Sequence, residues 1–399
     1  MGATLKSAQA LAQMQVKYAR RLKKVERAQT KLAKQRQKLA ALETDLASLA
    51  RQSADAASPA NDQSGSDLAQ LKRTYVIVNP KAKTLADGSL RLETLVEELR
   101  KVGFLAEIGL KASGKVARRM AKAAVKRGDP LLIVAAGDGT IEDIAPELIG
   151  SNTTLGILPL GTMNNLARAL GIPLDLPSAC QLLAMGTTRY LDIGRVLTTK
   201  PAHKSYFLEM AGLGLSALAA PLGQDFEKGR WATLLSTLNK FLAFKATRFT
   251  ITCDDGAVLQ TETNLVTLAN SPLFGDHLLA APTAKMDDGL LDLATYDGMS
   301  KLELENYFLS IAGAKRVDEP RVRFQQVAKV QITTEEALPA NADLDVFAEQ
   351  PTWEFTVIPR ALKVIVGNGF ALTLPVTAAP PPPPLAAPPP IPTTTEAEQ

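Results

Sequence analysis

The amino-acid sequence predicts two domains, an α/β lobe built on a parallel sheet and then a β-rich antiparallel domain, with an extension at each end. Between residues 74 and 173, short apolar runs alternate with amphipathic helical patterns, which is typical of βα units and a parallel sheet. Between residues 189 and 366, strand-like runs follow one another with turn residues between many of them, which favours an antiparallel sandwich. We therefore place the α/β lobe at residues 72–173 and the β-rich domain at residues 174–368.

Residues 1–52 are predicted to form one basic helix. They contain 12 Lys/Arg against three acidic residues, a net charge of +9 in a chain whose total is +4. An apolar or Tyr residue recurs every seven positions from Leu11 to Leu46, but most companion positions are polar, so the coiled-coil pattern is incomplete. A self-associating solvated helix and a helix drawn to anionic lipid both stay open. Nucleic acid is not an expected partner, because no aromatic stacking platform accompanies the charge.

Two other segments lack the periodicity of packed structure. Residues 53–71 are rich in Ser, Ala and Asp and are predicted to be a flexible linker. Residues 369–399 are rich in Pro, Ala and Thr and are predicted to be a disordered or polyproline II tail.

The overall composition is that of a globular protein. The chain has 399 residues, 46% of them hydrophobic and 22% charged, which is enough for two domains and extensions. Cys180 and Cys253 predict a reducing compartment without a disulfide framework, and two histidines argue against a structural zinc site. The sequence shows no bilayer-spanning apolar run and no signal-peptide core. We predict a cytoplasmic protein whose membrane contact, if any, is peripheral and on the inner face.

The elements of the α/β lobe follow from local patterns. Leu131–Ala135 and Leu155–Leu160 are short, β-branched and without alternation, which indicates strands buried on both faces. The pattern at Leu90–Val102 places four apolar side chains on one helical face, and Lys115–Lys126 is basic and amphipathic. The elements predicted in this lobe are, in order, strand Tyr75–Val78, helix Leu90–Val102, strand Phe104–Leu110, helix Lys115–Lys126, and strands Leu131–Ala135 and Leu155–Leu160.

The β-rich domain is predicted to follow a helix at Pro177–Met185. One helical insertion, Arg230–Phe244, is unusually apolar, so it either packs on the sheet or forms an acyl-chain pocket wall or a membrane-facing flap. The predicted strands are Arg189–Val196, Ser205–Ala211, Arg248–Asp254, Glu262–Ala269, Leu290–Tyr296, Arg323–Thr333, Asp343–Phe347, Thr352–Ile358 and Leu362–Val366.

A polar, glycine-containing turn follows each of the two buried strands. The first turn is Gly137–Thr140 and the second is Gly161–Asn165. In open α/β sheets, ligands lie outside the carboxyl ends of the strands, and glycine lets backbone amides approach a ligand closely. The pair of turns therefore indicates a phosphate or nucleotide site, although neither turn is a Walker loop or a GxGxxG fingerprint.

The same stretch resembles a known family. AAGDGT at 135–140 and ILPLGTMNNLARALGIP at 157–173 are similar to the GGDGT and PxGTxNDxAR signatures of the diacylglycerol kinase catalytic domain family. Val76–Pro80 resembles the family's first strand and its Asn-Pro turn, and Leu268–Gly275 together with Ala281–Asp292 resembles its C-terminal catalytic segment. The resemblance covers residues 74–366 and implies a nucleotide-binding lobe like that of NAD kinases and phosphofructokinases.

The resemblance implies an ATP- and Mg²⁺-dependent lipid kinase that transfers the γ-phosphate to a hydroxyl of a diacylglycerol-like or long-chain lipid at a membrane surface. Asp288 matches the family's general-base position, although Asp-Gly is also a common turn pair. Asp138 is the second catalytic candidate and would hold the metal through water. The nucleotide-binding residues that it implies are Asn79, Pro80, Ala136, Gly137, Asp138, Gly139, Thr140, Glu142, Gly161, Thr162 and Asn164.

Several positions depart from the family pattern. Ala136 replaces the first glycine of GGDG, Asn165 stands where many members have Asp, and Leu110 replaces a nucleotide-contacting Thr. Asp343-Leu344-Asp345 stands where the family often reads Asp-Gly-Glu, and the magnesium loop of bacterial lipid kinases has no recognisable counterpart. Two alternatives therefore stay open: a kinase of a soluble hydroxyl substrate such as NAD, and a catalytically silent scaffold that binds nucleotide or lipid.

Overall fold

The computed structural model describes residues 71–197, 205–218, 243–275, 277–312 and 315–371. The chain divides into two units, residues 1–69 and 70–399, and all described residues belong to the second. The predicted basic helix, the linker up to residue 70, the insertion up to residue 242 and the tail from residue 372 lie outside the described residues.

The α/β lobe contains the parallel sheet that the sequence predicts. Its strands lie in the order β2-β1-β3-β4, and every neighbouring pair is parallel. The elements are, in chain order, β1 (Lys72–Val78), α1 (Lys83–Ala86), α2 (Leu92–Lys101), β2 (Phe104–Leu110), α3 (Gly114–Arg127), β3 (Leu131–Ala136), α4 (Asp138–Ile144), a 3-10 helix (Ala145–Leu148), β4 (Thr154–Pro159), α5 (Asn165–Ala169) and α6 (Leu176–Met185).

Local sequence accounts for the helix ends in this lobe. The Ser113 hydroxyl accepts a hydrogen bond from the Val116 amide at the start of α3, and Gly128 ends that helix with φ of 77°. The Asp175 carboxylate accepts from the Ser178 amide, 2.9 Å away, at the start of α6. The apolar side chains of these helices pack on the central strands, which are almost fully buried.

The second domain is antiparallel and β-rich, which confirms the predicted fold class. Its elements are β5 (Thr187–Leu197), β6 (Tyr206–Phe207), β7 (Met210–Gly214), β8 (Thr247–Cys253), β9 (Val258–Thr263), β10 (Leu265–Ala269), β11 (Leu291–Tyr296), α7 (Lys301–Ser310), β12 (Val322–Val327), β13 (Lys329–Ala342), β14 (Asp345–Val366) and a 3-10 helix (Asn368–Ala371). Side chains of β7, β8, β10, β11 and β13 share one apolar core, as a sandwich requires.

The long strand β14 joins the two domains into one hydrogen-bonded sheet. It runs for 22 residues and pairs antiparallel with β13 and β5. Near its end, Val364 pairs in parallel with Leu155 of β4. The neighbouring strand β13 pairs with β8 in its first half and with β7 at its end, and its register shifts between Thr333 and Leu338.

Several element boundaries differ from the sequence prediction. The three strands predicted between residues 343 and 366 form the single strand β14, because pairing with β13 and β5 continues past Pro351 and Pro359. The strand predicted at Arg323–Thr333 is two strands, and the one predicted at Glu262–Ala269 is divided between β9 and β10 at Asn264. Helix α7 is not in the sequence prediction, although Ser300 and Glu303 form a capping box at its start. Among the described residues, no helix is both long and apolar enough to cross a membrane.

Candidate active site

The two glycine-containing turns lie against each other at the carboxyl ends of β3 and β4. The Leu160 amide donates to the Ala136 carbonyl at 3.0 Å, which continues the pairing of the two strands into the turns. A Cβ atom on Gly137 would lie 2.9 Å from the Cα of Gly161. Both glycines are therefore required for the close approach of the two backbones.

The next glycine, Gly139, faces open space. A Cβ atom built on it has no neighbour within 4 Å, and the residue is exposed. Ala136 points the other way, because its side chain is fully buried in the core of the lobe and does not crowd the outer face of the turn. The exposed backbone at Gly139 leaves room for a phosphate group to approach.

Asp138 connects the two turns. Its Oδ2 accepts from the Asn165 amide at 3.1 Å, and its Oδ1 accepts from the Leu166 amide at 3.2 Å. Burial raises the pKa of this carboxyl group, and the backbone hydrogen bonds oppose that rise. Both oxygens thus hold the second turn in place, which is a structural role that the sequence interpretation did not assign.

The second turn is closed by its own side chain. Asn164 has a φ of 53°, its Oδ1 accepts from the Gly161 amide at 2.9 Å, and its Nδ2 donates to the Gly161 carbonyl at 3.0 Å. Asn tolerates this left-handed conformation better than most residues. Thr162, which lies between Gly161 and Asn164, is exposed and takes no part in the hydrogen bonds between those two residues, so its hydroxyl is available to a ligand.

A lysine that the sequence interpretation missed joins the first turn. Lys111 Nζ lies 2.8 Å from Thr140 Oγ1 and 3.2 Å from Asp143 Oδ2, and Arg118 pairs with the other oxygen of Asp143 at 2.8 Å. The Asn79 amide nitrogen lies 3.3 Å from the same Thr140 hydroxyl. The position of Lys111, directly after β2, was the available signal, because that strand also ends at this edge of the sheet.

A pocket of about 520 Å³ lies beside Asn79. Its apolar lining comes from Val78, Pro80, Leu85, Leu90 and Leu92. Arg91 and Glu93 add charged groups to the lining, so the pocket offers both apolar and polar surface to a ligand.

Carboxylates from both domains face each other beside the turns. Glu209, which precedes β7, and Asp343, which precedes β14, are each 3% exposed. Burial raises the pKa of Asp343 to about 6, and raises those of Glu209 and Glu142 well above the usual value. The charges of Asp343 and Glu209 add to the rise at Glu142, which places this α4 side chain next to the second domain.

Asp343 also organises the backbone of the second domain. Its Oδ1 accepts from the amides of Glu209 and Met210 at 2.9 and 3.0 Å, and its Oδ2 accepts from the Leu208 amide at 2.9 Å. An ionised carboxylate has about four acceptor positions, so these three hydrogen bonds use most of its acceptor capacity. The sequence contained a signal for Glu209, which is a lone carboxylate in an apolar strand-like run.

Asp288 lies in a different group. It is exposed, and its oxygens accept from the Leu290 amide at 3.0 Å and from Gln326 Nε2 at 3.4 Å. Its acidic neighbours are Asp192 and Asp292, and burial raises the pKa of Asp292 to about 6. Within the described ranges, no hydrogen bond or ion pair joins Asp288 to either turn, so its general-base role stays a prediction.

Metal binding at this site would depend on the substrate. In the part of the chain that the structure describes, no three His, Cys, Asp or Glu side chains converge closely enough to hold a metal ion. The site nevertheless suits Mg²⁺, because Glu209 carries a buried carboxylate oxygen, Oε1, without a hydrogen-bond partner. Mg²⁺ commonly binds through one or two carboxylates, substrate phosphates and water.

Comparison with known proteins agrees with this arrangement. The family model of the diacylglycerol kinase catalytic domain matches residues 73–196, and that of the YegS C-terminal NAD kinase beta sandwich-like domain matches residues 211–366. A probable lipid kinase YegS-like protein of Pseudomonas aeruginosa is 32% identical over 263 residues, which cover 64% of this chain and 83% of the relative. The chain belongs to the diacylglycerol kinase catalytic domain family.

Other members of the diacylglycerol kinase family match over similar lengths. The diacylglycerol kinase of Bacillus subtilis is 27% identical over 304 residues, covering 74% of this chain and 97% of the relative. A crystal structure of a putative diacylglycerol kinase from Bacillus anthracis shares the fold, with a TM-score of 0.61 and 22% identity over 75% of this chain and 97% of that one. Family membership makes the protein a phosphotransferase with an alcohol acceptor, and the resemblance seen in the sequence is confirmed.

Proposed function

We propose that this protein transfers the γ-phosphate of ATP to a hydroxyl group of a diacylglycerol-like or long-chain lipid. The observation that carries this proposal is the first turn, in which Gly139 faces open space and Asp138 is joined through Asn165 to Glu209 of the second domain. Phosphoryl transfer requires a phosphate cradle, charge neutralisation and a group that accepts the proton of the attacking hydroxyl. The two domains supply these parts from opposite sides.

The nucleotide would bind on the α/β lobe. Its phosphates would lie over Gly139 and Thr162, and Lys111 would contribute positive charge through Thr140. The pocket beside Pro80 would take the nucleoside. Mg²⁺, when bound, would neutralise charge on the phosphates.

The proton acceptor would come from the second domain, and we favour Asp343 for this role. Burial raises its pKa to about 6, which is near neutrality and suits a general base, and its backbone hydrogen bonds fix the position of the carboxylate. Asp345, the next carboxylate along the chain, contributes to the raised pKa of Asp343. Asp288 stays the alternative from the sequence, because its carboxylate is exposed and accessible.

The lipid acceptor implies a membrane surface. The basic segment of residues 1–52 has the charge to attract anionic lipid, each Lys or Arg contributing on the order of 1 kcal/mol near such a surface. Self-association through the same segment is the other proposed partner interaction.

The experiment that tests the function uses the full chain, labelled ATP and Mg²⁺, with three acceptors in separate reactions: diacylglycerol in mixed micelles, a total lipid extract, and NAD. We expect label in a lipid product and none in the NAD reaction. Label in NADP alone would establish a soluble-substrate kinase, and ATP binding without label in any acceptor would establish the silent scaffold.

The open space at Gly139 leads to a testable difference between two glycines. Gly139→Ala should fold normally, because the added methyl group meets nothing in the protein, but it should raise the KM for ATP several-fold by occupying the phosphate position. Gly137→Ala should instead lower the thermal midpoint, because its methyl group meets the Gly161 backbone. Steady-state kinetics and thermal unfolding measure both effects. An unchanged KM for ATP in Gly139→Ala would remove that turn from the phosphate site.

A further inference from the structure

Glu209 and Asn165 form an unusual contact between the two domains. Asn165 Nδ2 lies 3.3 Å from Glu209 Oε2 and donates to the Gly275 carbonyl at 2.7 Å. Both neighbours of this nitrogen are acceptors, so the orientation of the amide group is determined by its contacts. The orientation leaves Asn165 Oδ1 without a hydrogen-bond partner, although the residue is only 3% exposed.

Glu209 is in the same condition. Its Oε1 is buried without a hydrogen-bond partner. Burying a carboxylate without a full set of hydrogen bonds costs free energy. Its backbone amide donates to Asp343, and its carbonyl accepts from the amides of Asn270 and Ser271 at 2.9 and 3.1 Å. The backbone is thus held on both sides and aims the side chain at the second turn.

The departure of this chain from the family pattern gives the contact its meaning. Many family members have Asp at the position of Asn165. Because this chain has Asn there, its second turn lacks that carboxylate. An Asp at position 165 beside Glu209 would put two carboxylates in contact, each raising the pKa of the other. In this chain, the contact therefore joins an amide on the second turn, Asn165, to a carboxylate on the second domain, Glu209.

We propose that Glu209 supplies, from the second domain, a carboxylate that faces the Mg²⁺ of a bound nucleotide beside Asn165 of the second turn. Glu209 Oε1 and Asn165 Oδ1 are the two unsatisfied oxygens of the contact, and hard oxygen ligands of this kind suit Mg²⁺ carried by a nucleotide. A cation carried by the nucleotide would give both of these oxygens a partner and would offset the charge of the Glu209 carboxylate. The proposal rests on the proposed kinase function for its substrate, but its metal-binding part stands on the contact alone.

The test exchanges the two side chains. Glu209→Gln, Asn165→Asp and the double variant are compared with the parent and with Glu305→Gln, a control at an exposed position on α7. Three quantities are measured: turnover against Mg²⁺ concentration, direct binding of Mn²⁺ in the presence of a non-hydrolysable ATP analogue, and the thermal midpoint in EDTA.

Glu209→Gln should lower turnover and Mn²⁺ affinity by about 10–100-fold, the scale found for groups that support a metal site. The same variant should raise the thermal midpoint in EDTA, because burial disfavours the ionised carboxylate of Glu209 and a neutral amide avoids that cost. Asn165→Asp should lower that midpoint by adding a second buried carboxylate. The double variant should bind Mn²⁺ and turn over like the parent, because the carboxylate and the amide have only exchanged places, and Glu305→Gln should match the parent throughout.

A lower midpoint in Glu209→Gln, with parental Mn²⁺ affinity, would show that Glu209 is only structural and would overturn the proposal. A double variant no better than either single variant would also overturn it. Mn²⁺ binding and the midpoints do not depend on a phosphate acceptor, so they decide the role of Glu209 even if the parent phosphorylates no lipid.

Discussion

Asp343→Asn is expected to lower phosphoryl transfer by about 10²-fold or more, the usual scale for removing a general base. The variant keeps the size of the side chain and tolerates the φ of 47° at this position, so the backbone has no reason to move. The variant loses the charge. Its new NH₂ group is a donor and faces a backbone amide that is also a donor, so one of the hydrogen bonds to Asp343 is lost. An unpaired amide costs about 1–3 kcal/mol, so a moderate drop in stability should accompany the loss of turnover.

Asp288→Asn is the matched comparison, since it changes the other candidate base by the same group. Its carboxylate is exposed, its one backbone contact is with the nearby Leu290 amide, and its contact with Gln326 is long at 3.4 Å, so we expect little loss of stability and much less loss of turnover. Single-turnover rates with lipid and ATP, beside thermal unfolding, separate the two effects. A 10²-fold loss in Asp288→Asn together with near-parental turnover in Asp343→Asn would assign the base to Asp288.

Asp138→Ala is expected to have the largest effect on stability among changes in the turns. Its carboxylate accepts hydrogen bonds from the backbone amides of Asn165 and Leu166. Alanine cannot accept them, so both amides lose their partner at a largely buried position. We expect a loss of about 2–4 kcal/mol in the free energy of unfolding. Turnover should fall as well, because the second turn then loses its fixed position against the first.

Asp138→Asn is the control for that prediction, because its amide oxygen can still accept one of the two backbone hydrogen bonds. Its stability should lie between the parent and Asp138→Ala. Denaturant titration gives the free energies, and a Mg²⁺ titration of turnover gives the metal requirement. If Asp138→Ala unfolds like the parent and only its Mg²⁺ requirement rises, then the carboxylate acts on the metal and not on the turn.

The sequence was sufficient for the parts of the site that one short segment builds. The two turns, the order of strands and helices around them and the fold class follow from local patterns and glycine positions, and the structure confirms that fold. The carboxylates of the second domain were harder to place. Glu209 and Asp343 are 134 residues apart and are brought together by the pairing of β7 with β13 and by the hydrogen bonds from the backbone amides of residues 208–210 to Asp343. No local pattern encodes that contact.

The element boundaries show the same limit. Pro351 and Pro359 are turn signals in the sequence, yet both lie inside β14. Each lies at a register shift, where the pairing of β14 with one neighbour is interrupted and then resumes, so the strand accommodates a residue without a backbone N–H. Lys111 was missed because a lysine at a strand end is usually solvated, whereas here it lies against Thr140 and Asp143.

The path of β14 has a consequence for the order in which the chain is made. Leu155 of β4 receives its partner Val364 only when more than two hundred further residues have left the ribosome. Until then, the nascent α/β lobe presents β4 as an open edge, and an unpaired apolar edge is a template for pairing with other chains. The late arrival of the carboxyl-terminal strand therefore makes this edge the point at which nascent chains need protection, and truncated forms ending before residue 364 should be the ones that aggregate.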